Sequence, residues 1–264
     1  MAGGAGVAVL SGRGKTGRAV ISALGRAGAG ARPLGRAEAA DLRTAMRGCE
    51  ALYLMAPNMS ADEPSFVDSA LRVAREVGIR RVVHHSVAAP YAPRMPHHLG
   101  KAVAEDLVRR SGLDWTILQP CAYVQNLLPG LRADPPGLDV VYDPDRSFGL
   151  VDVEDVGEAA ATVLLRPGHI GATYELGGPE LVSVRDVAGA AEAVLGRPVP
   201  VRRTPTREWS AGAGAGLDRR VHDWLLAMFA DYDRHGLPAG PGPRTTLLGR
   251  PPKGVRQILG RELA

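Results

Sequence analysis

Val7 to Gly17 read Val-Ala-Val-Leu-Ser-Gly-Arg-Gly-Lys-Thr-Gly. The first four residues are apolar and predict a strand buried on both faces, and a helix is expected from Thr16 to Ala27. A strand and a helix joined by a glycine-rich turn are typical of the first unit of a doubly wound α/β fold. This stretch therefore predicts a parallel sheet with helices on both of its faces.

The glycines of this turn, Gly12, Gly14 and Gly17, match the pattern G-x-G-x-x-G. The first glycine permits a tight turn, the second lets a pyrophosphate approach the backbone, and the third lets the helix pack on the strand. The phosphates would bind the free N–H groups at the positive end of the helix. A purely structural turn is the alternative, whereas a P-loop is disfavoured because its first glycine would fall on Val9.

Composition indicates a globular protein. The 264 residues are 45% hydrophobic, which suffices for one large domain or for a Rossmann domain with an appended lobe. The pI is about 9.3, but the net charge is only +4 and the arginines are scattered, so we expect no nucleic-acid partner.

The same sequence predicts a cytoplasmic protein. No run of 18 apolar residues occurs, and the N-terminal Met-Ala-Gly-Gly-Ala-Gly has neither a basic region nor a long apolar core, so we expect no membrane segment and no export signal. Cys49 and Cys121 are the two cysteines, and reduced thiols suit the cytoplasm.

Cofactor preference is predicted from the end of the second strand, expected near Ala31 to Gly35. An NAD-specific site has an acid there for the ribose 2′-OH, whereas this chain has Arg36, which favours the 2′-phosphate of NADP(H). Arg13 and Lys15 would add to the same cationic pocket; the alternative is that all three are ordinary surface charges. NADP(H) is thus the preferred cofactor, and NAD(H) is also compatible.

Two features of this region are unusual for a Rossmann sheet. Pro33 would remove a ladder donor from what should be an interior strand. A third strand is missing, because only Ala37 to Ala40 precede the next helical run. The sheet is therefore expected to be one strand short at this edge.

Further strands are predicted at Ala51 to Met55, Arg81 to Val87 and Asp114 to Leu118, with a helix from His98 to Arg110 between the last two. Alternation along the strand at Arg81 to Val87 places His84 and Ser86 on one face and His85 on the other. We therefore expect no metal site at this histidine pair.

The chain resembles the NmrA-like branch of the atypical short-chain dehydrogenase/reductases. The resemblance is carried by the glycine turn, Ser86 at a strand end, Lys101 on the next helix, and the run Gly112-Leu-Asp-Trp-Thr-Ile-Leu-Gln-Pro120. It extends through Leu150-Val-Asp-Val-Glu-Asp-Val156 and Tyr174-Glu-Leu-Gly-Gly-Pro179.

The resemblance implies an NAD(P)-binding Rossmann domain, placed at residues 1–125, and a smaller α/β substrate lobe at 126–264, some of whose strands return to the main sheet. Family glycines of the form G-x-x-G-x-x-G map onto Ser11, Gly14 and Gly17, so the first is replaced by serine. The residues expected to contact the cofactor are Ser11, Gly12, Arg13, Gly14, Lys15, Thr16, Gly17, Arg36, Ala56, Pro57, Ser86, Lys101, Pro120 and Cys121.

Short-chain reductases use a Ser and a Y-x-x-x-K pair for proton chemistry. Ser86 and Lys101 stand at the Ser and Lys positions, but His97 replaces the Tyr. His97, which is expected in a proline-rich loop with a pKa near 6.5, is a candidate proton donor or a loop histidine, and Tyr123 is a candidate donor to the substrate or a packing residue. Cys121 is expected to be a small pocket wall.

The resemblance leaves three functions open. The first is an NADP(H)-dependent oxidoreductase that transfers hydride to a carbonyl, quinone or conjugated alkene of an apolar or aromatic small molecule. The second is a non-catalytic NAD(P)-sensing regulator that binds a protein partner, and the third is a non-redox enzyme acting on an aromatic intermediate. A monomer and a homodimer are both compatible with the sequence.

Overall fold

The computed structural model describes residues 6–264. Residues 1–5, which carry most of the stretch on which the absence of an export signal was predicted, lie outside this range. The strands within the range are β1 (Val7–Leu10), β2 (Ala31–Leu34), β3 (Ala51–Leu54), β4 (Arg81–His85), β5 (Asp114–Pro120), β6 (Leu138–Val140), β7 (Ala172–Leu176) and β8 (Val201–Arg203). The helices are α1 (Lys15–Arg26), α2 (Leu42–Met46), α3 (Glu63–Glu76), α4 (Pro96–Arg109), α5 (Leu128–Leu131), α6 (Val153–Leu165), α7 (Val184–Leu195), α8 (Thr206–Ala211), α9 (Arg219–His235), α10 (Gly242–Leu248) and α11 (Val255–Leu263).

Six parallel strands form the main sheet in the order β2-β1-β3-β4-β5-β7. The α/β fold with a doubly wound parallel sheet is therefore confirmed. Helices α1 and α6 pack together over one face, and α3 and α4 pack over the other. A Cβ added to Gly157 of α6 would lie 2.6 Å from the Ala19 carbonyl oxygen, so this glycine allows the close packing of α6 on α1.

The edge of the sheet at β2 explains the unusual second strand. In the described sheet β2 has β1 as its only neighbour, so the predicted loss of a third strand is confirmed. The expectation that Pro33 lies in an interior strand was wrong. Pro33 lies in an edge strand, where the missing N–H donor has no second strand to serve.

The second half of the chain contributes to both layers. β7 pairs with β5 and completes the main sheet, while β6 and β8 form a separate parallel pair. Helix α7 begins with a capping box formed by Ser183 and Asp186. The division at residue 125 stays a prediction.

Helix α11 is fastened to the start of α6 by a buried ion pair. Asp152 caps α6 by accepting from the Glu154 N–H, and its carboxylate receives the Arg261 guanidinium at 2.8 Å and the Gln125 amide at 2.8 Å. Burial by itself would raise the pKa of Asp152, but the hydrogen bonds from Arg261 and Gln125 outweigh it and bring the pKa to about 2.

We predict that Arg261→Leu lowers the free energy of unfolding at pH 7 by about 1–3 kcal/mol, because it leaves the buried Asp152 carboxylate short of a partner. The contribution of Asp152 is fully present above the unfolded-state pKa of about 3.9. It is lost as the pH falls toward 2. Urea unfolding between pH 7 and pH 2 checks this.

Arg256, which is exposed on the same helix, supplies the matched control. Arg256→Leu should unfold like the wild type at every pH. A difference between Arg261→Leu and wild type that stayed constant down to pH 2 would contradict the role given to Asp152.

Candidate active site

A single cleft of about 640 Å³ opens at the carboxyl ends of β1, β3, β4 and β5. This is the edge at which open α/β sheets bind their ligands. Predicted site residues on its wall are Ser11, Gly14, Lys15, Thr16, Ala56, Pro57, Ser86, His97, Lys101, Pro120, Cys121 and Tyr123. Gly12, Arg13, Gly17 and Arg36, which were also predicted to contact the cofactor, do not line it.

The glycines of the turn have different roles, since two of them allow close packing and one lines the cleft. A Cβ on Gly12 would lie 2.7 Å from the Pro33 Cα, and a Cβ on Gly17 would lie 2.5 Å from the Gly12 Cα, so both positions are filled by backbone. A Cβ on Gly14 would face the cleft and meet only the Ser11 carbonyl oxygen, at 3.3 Å. Gly14 is thus the glycine that keeps the cleft open beside the turn.

The start of α1 suits an anion. Helix geometry leaves the N–H groups of a first turn without intrahelical partners. Gly14 is the N-cap of α1, and no side chain within residues 6–264 caps this end. Because α1 carries its positive dipole end toward the cleft, the residues from Gly14 to Thr16 fit a pyrophosphate.

Ser11, the departure from the family glycines, has a structural role. It adopts a left-handed conformation with φ of 54°, where glycine is usual. Its hydroxyl donates to the Met55 carbonyl at 3.1 Å. The serine therefore ties the loop after β1 to the end of β3, a contact that glycine could not make.

Two of the three cations predicted to bind the 2′-phosphate are engaged by other side chains. Arg13 forms a bidentate pair with Glu38 at 2.7 and 2.6 Å, and Glu38 also accepts from the Gly35 N–H. The Arg13 and Gly35 hydrogen bonds hold the pKa of Glu38 at about 2. Lys15 instead donates to Asn126 at 2.6 Å.

Glu38 was missed, although it follows Arg36 by two residues in the position where a ribose-binding acid is sought. Arg36 stands beside it as an exposed side chain. The end of β2 therefore presents both an acid paired with Arg13 and a second cation.

Lys101 lines the cleft, and its ammonium is paired with Glu63. Its Nζ donates to the two Glu63 carboxylate oxygens at 2.9 and 3.1 Å, and the side chains are only 12% and 3% exposed. Glu63 lies in the first turn of α3, beside its N-cap Asp62. Glu63 was not predicted, because its partner is 38 residues away on another helix.

His97 differs from its prediction in place and in charge. It lies in the first turn of α4, not in a loop, with its ring 5.8 Å from that of Trp224. Burial, together with the nearby Lys101 and His98, lowers its pKa to about 4. His97 is therefore a neutral imidazole near pH 7.

Ser86 lines the cleft, but its hydroxyl is engaged by a buried carboxylate. The hydroxyl donates to Glu105 at 2.6 Å, and Glu105 also accepts from Gln119 at 2.7 Å and from Arg109 at 3.0 Å. Glu105 is fully buried. The hydroxyl hydrogen of Ser86 is thus used within the protein and is not offered to a ligand.

Tyr123 follows β5 and contacts His85 of the neighbouring strand β4. Its hydroxyl is 3.2 Å from the His85 Nε2, and the His85 Nδ1 is 2.5 Å from the hydroxyl of the buried Tyr53. The Lys15 ammonium lies 5.1 Å from the centre of the Tyr123 ring. Alternation predicted the direction of His85 but not its two tyrosine partners.

Cys121 has no activating group. Its thiol donates to the Leu237 carbonyl at 3.3 Å, and burial raises its pKa to about 12. This agrees with a wall residue. Within residues 6–264, no group of three or more His, Cys, Asp and Glu side chains is arranged to hold a metal ion, and no helix is both long and apolar enough to cross a membrane.

The far wall of the cleft is apolar and aromatic. The lining side chains that share this character are Tyr142, Phe148, Met228, Phe229, Tyr232 and Leu237. Tyr142 packs against Phe148 at 5.3 Å and Tyr232 at 5.7 Å between ring centres. Helix α9 contributes three of these residues.

The glycine turn, together with a cleft at the carboxyl ends of a parallel sheet, defines a Rossmann-type dinucleotide-binding protein. A protein-family model described as NAD(P)H-binding matches residues 29–167, more than half of the chain. The chain therefore belongs to this NAD(P)H-binding family.

Similar proteins support the predicted class, an NAD(P)H-dependent reductase of the NmrA-like type. The chain is 28% identical to the NAD(P)H azoreductase of Xenophilus azovorans over 198 residues, which cover 73% of this chain and 68% of that protein. The crystal structure of the NADPH-dependent quinone oxidoreductase QOR2 of Escherichia coli with NADPH has a TM-score of 0.83 and 19% identity, covering 98% of this chain and 100% of that one.

The fold that the resemblance to the NmrA-like branch implies is confirmed. The crystal structure of NmrA, a negative transcriptional regulator, in complex with NADP has a TM-score of 0.70 at 16% identity and covers 98% of this chain and 91% of that one. At such identities the two structures show a shared fold, and the family match supplies the cofactor class, NAD(P)H.

We predict that Gly14→Val folds normally but binds NADPH at least about tenfold more weakly, a loss of about 1.4 kcal/mol, because the side chain would occupy the space of the pyrophosphate. Titration followed by NADPH fluorescence checks this. Gly25→Val, at a position of α1 with open space around it, is the control and should bind as the wild type does. Equal NADPH affinity in Gly14→Val and Gly25→Val would contradict pyrophosphate binding at the glycine turn.

Proposed function

We propose that this protein is an NADP(H)-dependent reductase of apolar aromatic small molecules that carry a carbonyl, a quinone or a conjugated alkene. One observation carries the proposal: the glycine turn and the aromatic wall line the same cleft. A flat apolar acceptor would lie against Tyr142 and Phe229 while its reducible group faces the cofactor end.

The residues of the cleft fit NAD(P)H. The uncapped start of α1 and Gly14 would hold the pyrophosphate, and Ala56, Pro57, Pro120 and Cys121 would form apolar walls for the rings. Bound NAD(P)H supplies hydride from C4 of its nicotinamide. The protein supplies orientation and hydrogen-bond donors.

Lys101 would hold the nicotinamide ribose. Its ammonium is already oriented by Glu63, and both side chains are nearly buried, so a hydrogen bond made there would be little weakened by water. Ser86 would serve as a wall, because Glu105 holds its hydroxyl hydrogen. His97 would contribute a neutral N–H donor at most, and Tyr123 would position or protonate the acceptor.

We predict that the wild type oxidises NADPH with small quinones and that Lys101→Met lowers kcat/KM by about 10–100-fold, equal to about 1.4–2.7 kcal/mol of transition-state stabilisation. Asp106→Asn, an exposed change on α4, is the control and should turn over normally. Equal rates for Lys101→Met and wild type would remove Lys101 from the mechanism.

NADP(H) preference is proposed for the end of β2. Arg36 is exposed there and free of the pair that joins Arg13 to Glu38. The 2′-phosphate of NADPH would form an ion pair with Arg36 and would compete with Glu38 for Arg13. The ribose 2′-OH of NADH could instead donate a hydrogen bond to Glu38. Both dinucleotides are therefore compatible, with the phosphate favoured by charge.

We predict that Arg36→Ala weakens NADPH binding by about fivefold or more, the loss of a charge-assisted hydrogen bond, while NADH binding is unchanged. Glu38→Gln should strengthen NADPH binding, because it releases Arg13 to pair with the 2′-phosphate. Fluorescence titrations with both dinucleotides measure these changes. Arg72→Ala, an exposed change on α3, is the control, and parallel losses for NADPH and NADH in Arg36→Ala would contradict the assignment.

A nucleotide-sensing regulator is the second candidate. His97 in place of the family Tyr is the observation that favours it, together with the similarity of the fold to NmrA. Such a protein would bind NADPH but would oxidise it with no acceptor. Steady-state assays with quinones, azo dyes and enones therefore separate the two candidates.

A further inference from the structure

We propose that Tyr53 and His85 act as positioning residues that turn the hydroxyl hydrogen of Tyr123 toward the cleft, which makes Tyr123 the proton donor to the acceptor. The inference rests on the proposed reductase function and deepens it. Tyr123 then does what the missing Tyr of the Y-x-x-x-K pair would have done, from the segment after β5 instead of from the start of α4.

The Tyr53 side chain is completely buried. Within the described residues its hydroxyl has one hydrogen-bond partner, the His85 Nδ1 at 2.5 Å. If the hydroxyl accepted from Nδ1–H, its own hydrogen would be left without an acceptor in the core, which is unfavourable. The Tyr53 hydroxyl therefore donates to Nδ1.

This direction determines the tautomer of His85. The ring is nearly buried, and burial together with Lys101 and His84 lowers its pKa well below the usual value, so it carries one proton near neutral pH. Because Nδ1 accepts from Tyr53, that proton is on Nε2. The Nε2–H then donates to the Tyr123 oxygen, 3.2 Å away.

The Tyr123 oxygen is thus an acceptor, and its hydrogen remains available. Burial raises the pKa of Tyr123 above its usual value, so the phenol keeps its hydrogen near neutral pH. Tyr123 lines the cleft. Because the His85 Nε2–H is directed at the oxygen, the hydroxyl hydrogen is turned away from His85 and is available to a ligand in the cleft.

His97 is the weaker candidate for proton donation. With a pKa of about 4 it is neutral near pH 7, and a neutral imidazole would have to become an anion to give up its proton. Tyr123 would become a phenolate that already receives the His85 Nε2–H. The phenol is therefore the better acid in this cleft.

The proton balance is simple for a carbonyl acceptor. Bound NAD(P)H would supply the hydride to the carbon and be oxidised to NAD(P)⁺, the C=O π bond would break, and Tyr123 would supply the proton to the oxygen. The His85 Nε2–H would stabilise the phenolate left on Tyr123. Water that enters the cleft after product release returns the proton to Tyr123.

The direct test is nitrogen-15 NMR of histidine-labelled, full-length protein, with His85 assigned by loss of its signals in His85→Gln. A protonated ring nitrogen and an unprotonated one have well-separated shifts, so the tautomer is read without an activity assay. We expect Nε2 protonated and Nδ1 unprotonated across the neutral pH range. In Tyr53→Phe the preference should weaken to a mixture of tautomers.

A proton on Nδ1, or a doubly protonated His85 at pH 7, would overturn the proposal. This outcome is distinct from failure of the reductase function, which would appear as no NADPH oxidation with any acceptor, whatever the tautomer.

The kinetic arm compares Tyr123→Phe and Tyr53→Phe with Tyr91→Phe, an exposed control. Tyr123→Phe should lower kcat with a ketone or quinone by about 10²–10⁴-fold, the usual range for loss of a general acid, while NADPH affinity is kept. Tyr53→Phe should lower kcat by a smaller factor without changing KM. Full kcat in Tyr123→Phe would contradict the proton-donor role even if the tautomer were as expected.

Discussion

The close approach of backbone at the glycine turn is the constraint on which the structure depends. Gly12 meets β2 and Gly17 meets Gly12 at distances that no side chain tolerates, so β1, β2 and the start of α1 can pack only with bare backbone there. This packing fixes the direction of α1, and with it the anion site at Gly14. The remaining site residues lie at strand ends whose positions follow from the same sheet.

The fold was predictable because its signals are local. The apolar runs and the glycine turn each act within a few residues of chain, and they predicted the strands and helices in the first half of the chain. The environment of Pro33 was misjudged because the sequence of β2 does not show how many strands pair with it. In the described sheet β2 pairs with β1 alone, so it is an edge strand.

The candidate site was predictable only in part. The strand ends and the family pattern brought Lys101, His97 and Tyr123 to one cleft, but their partners come from distant segments. Glu63 reaches Lys101 from another helix, and Tyr53 reaches His85 across 32 residues. Periodicity gives the face on which a side chain lies, not the group it meets there. The charge of His97 depends on burial, which changes its chemistry from that of an acid to that of a neutral donor.

The unpaired margin at β2 has a consequence for the behaviour of the protein in concentrated solution. Open strands can template intermolecular β-pairing and so lead to aggregation. Here Pro33 interrupts the row of donors, and the Arg32 guanidinium folds back onto the carbonyls of Ala45 and Arg47. A strand from a second molecule would find the N–H of Pro33 missing and the Arg32 guanidinium in its way. This edge of the sheet is therefore protected against intermolecular β-pairing.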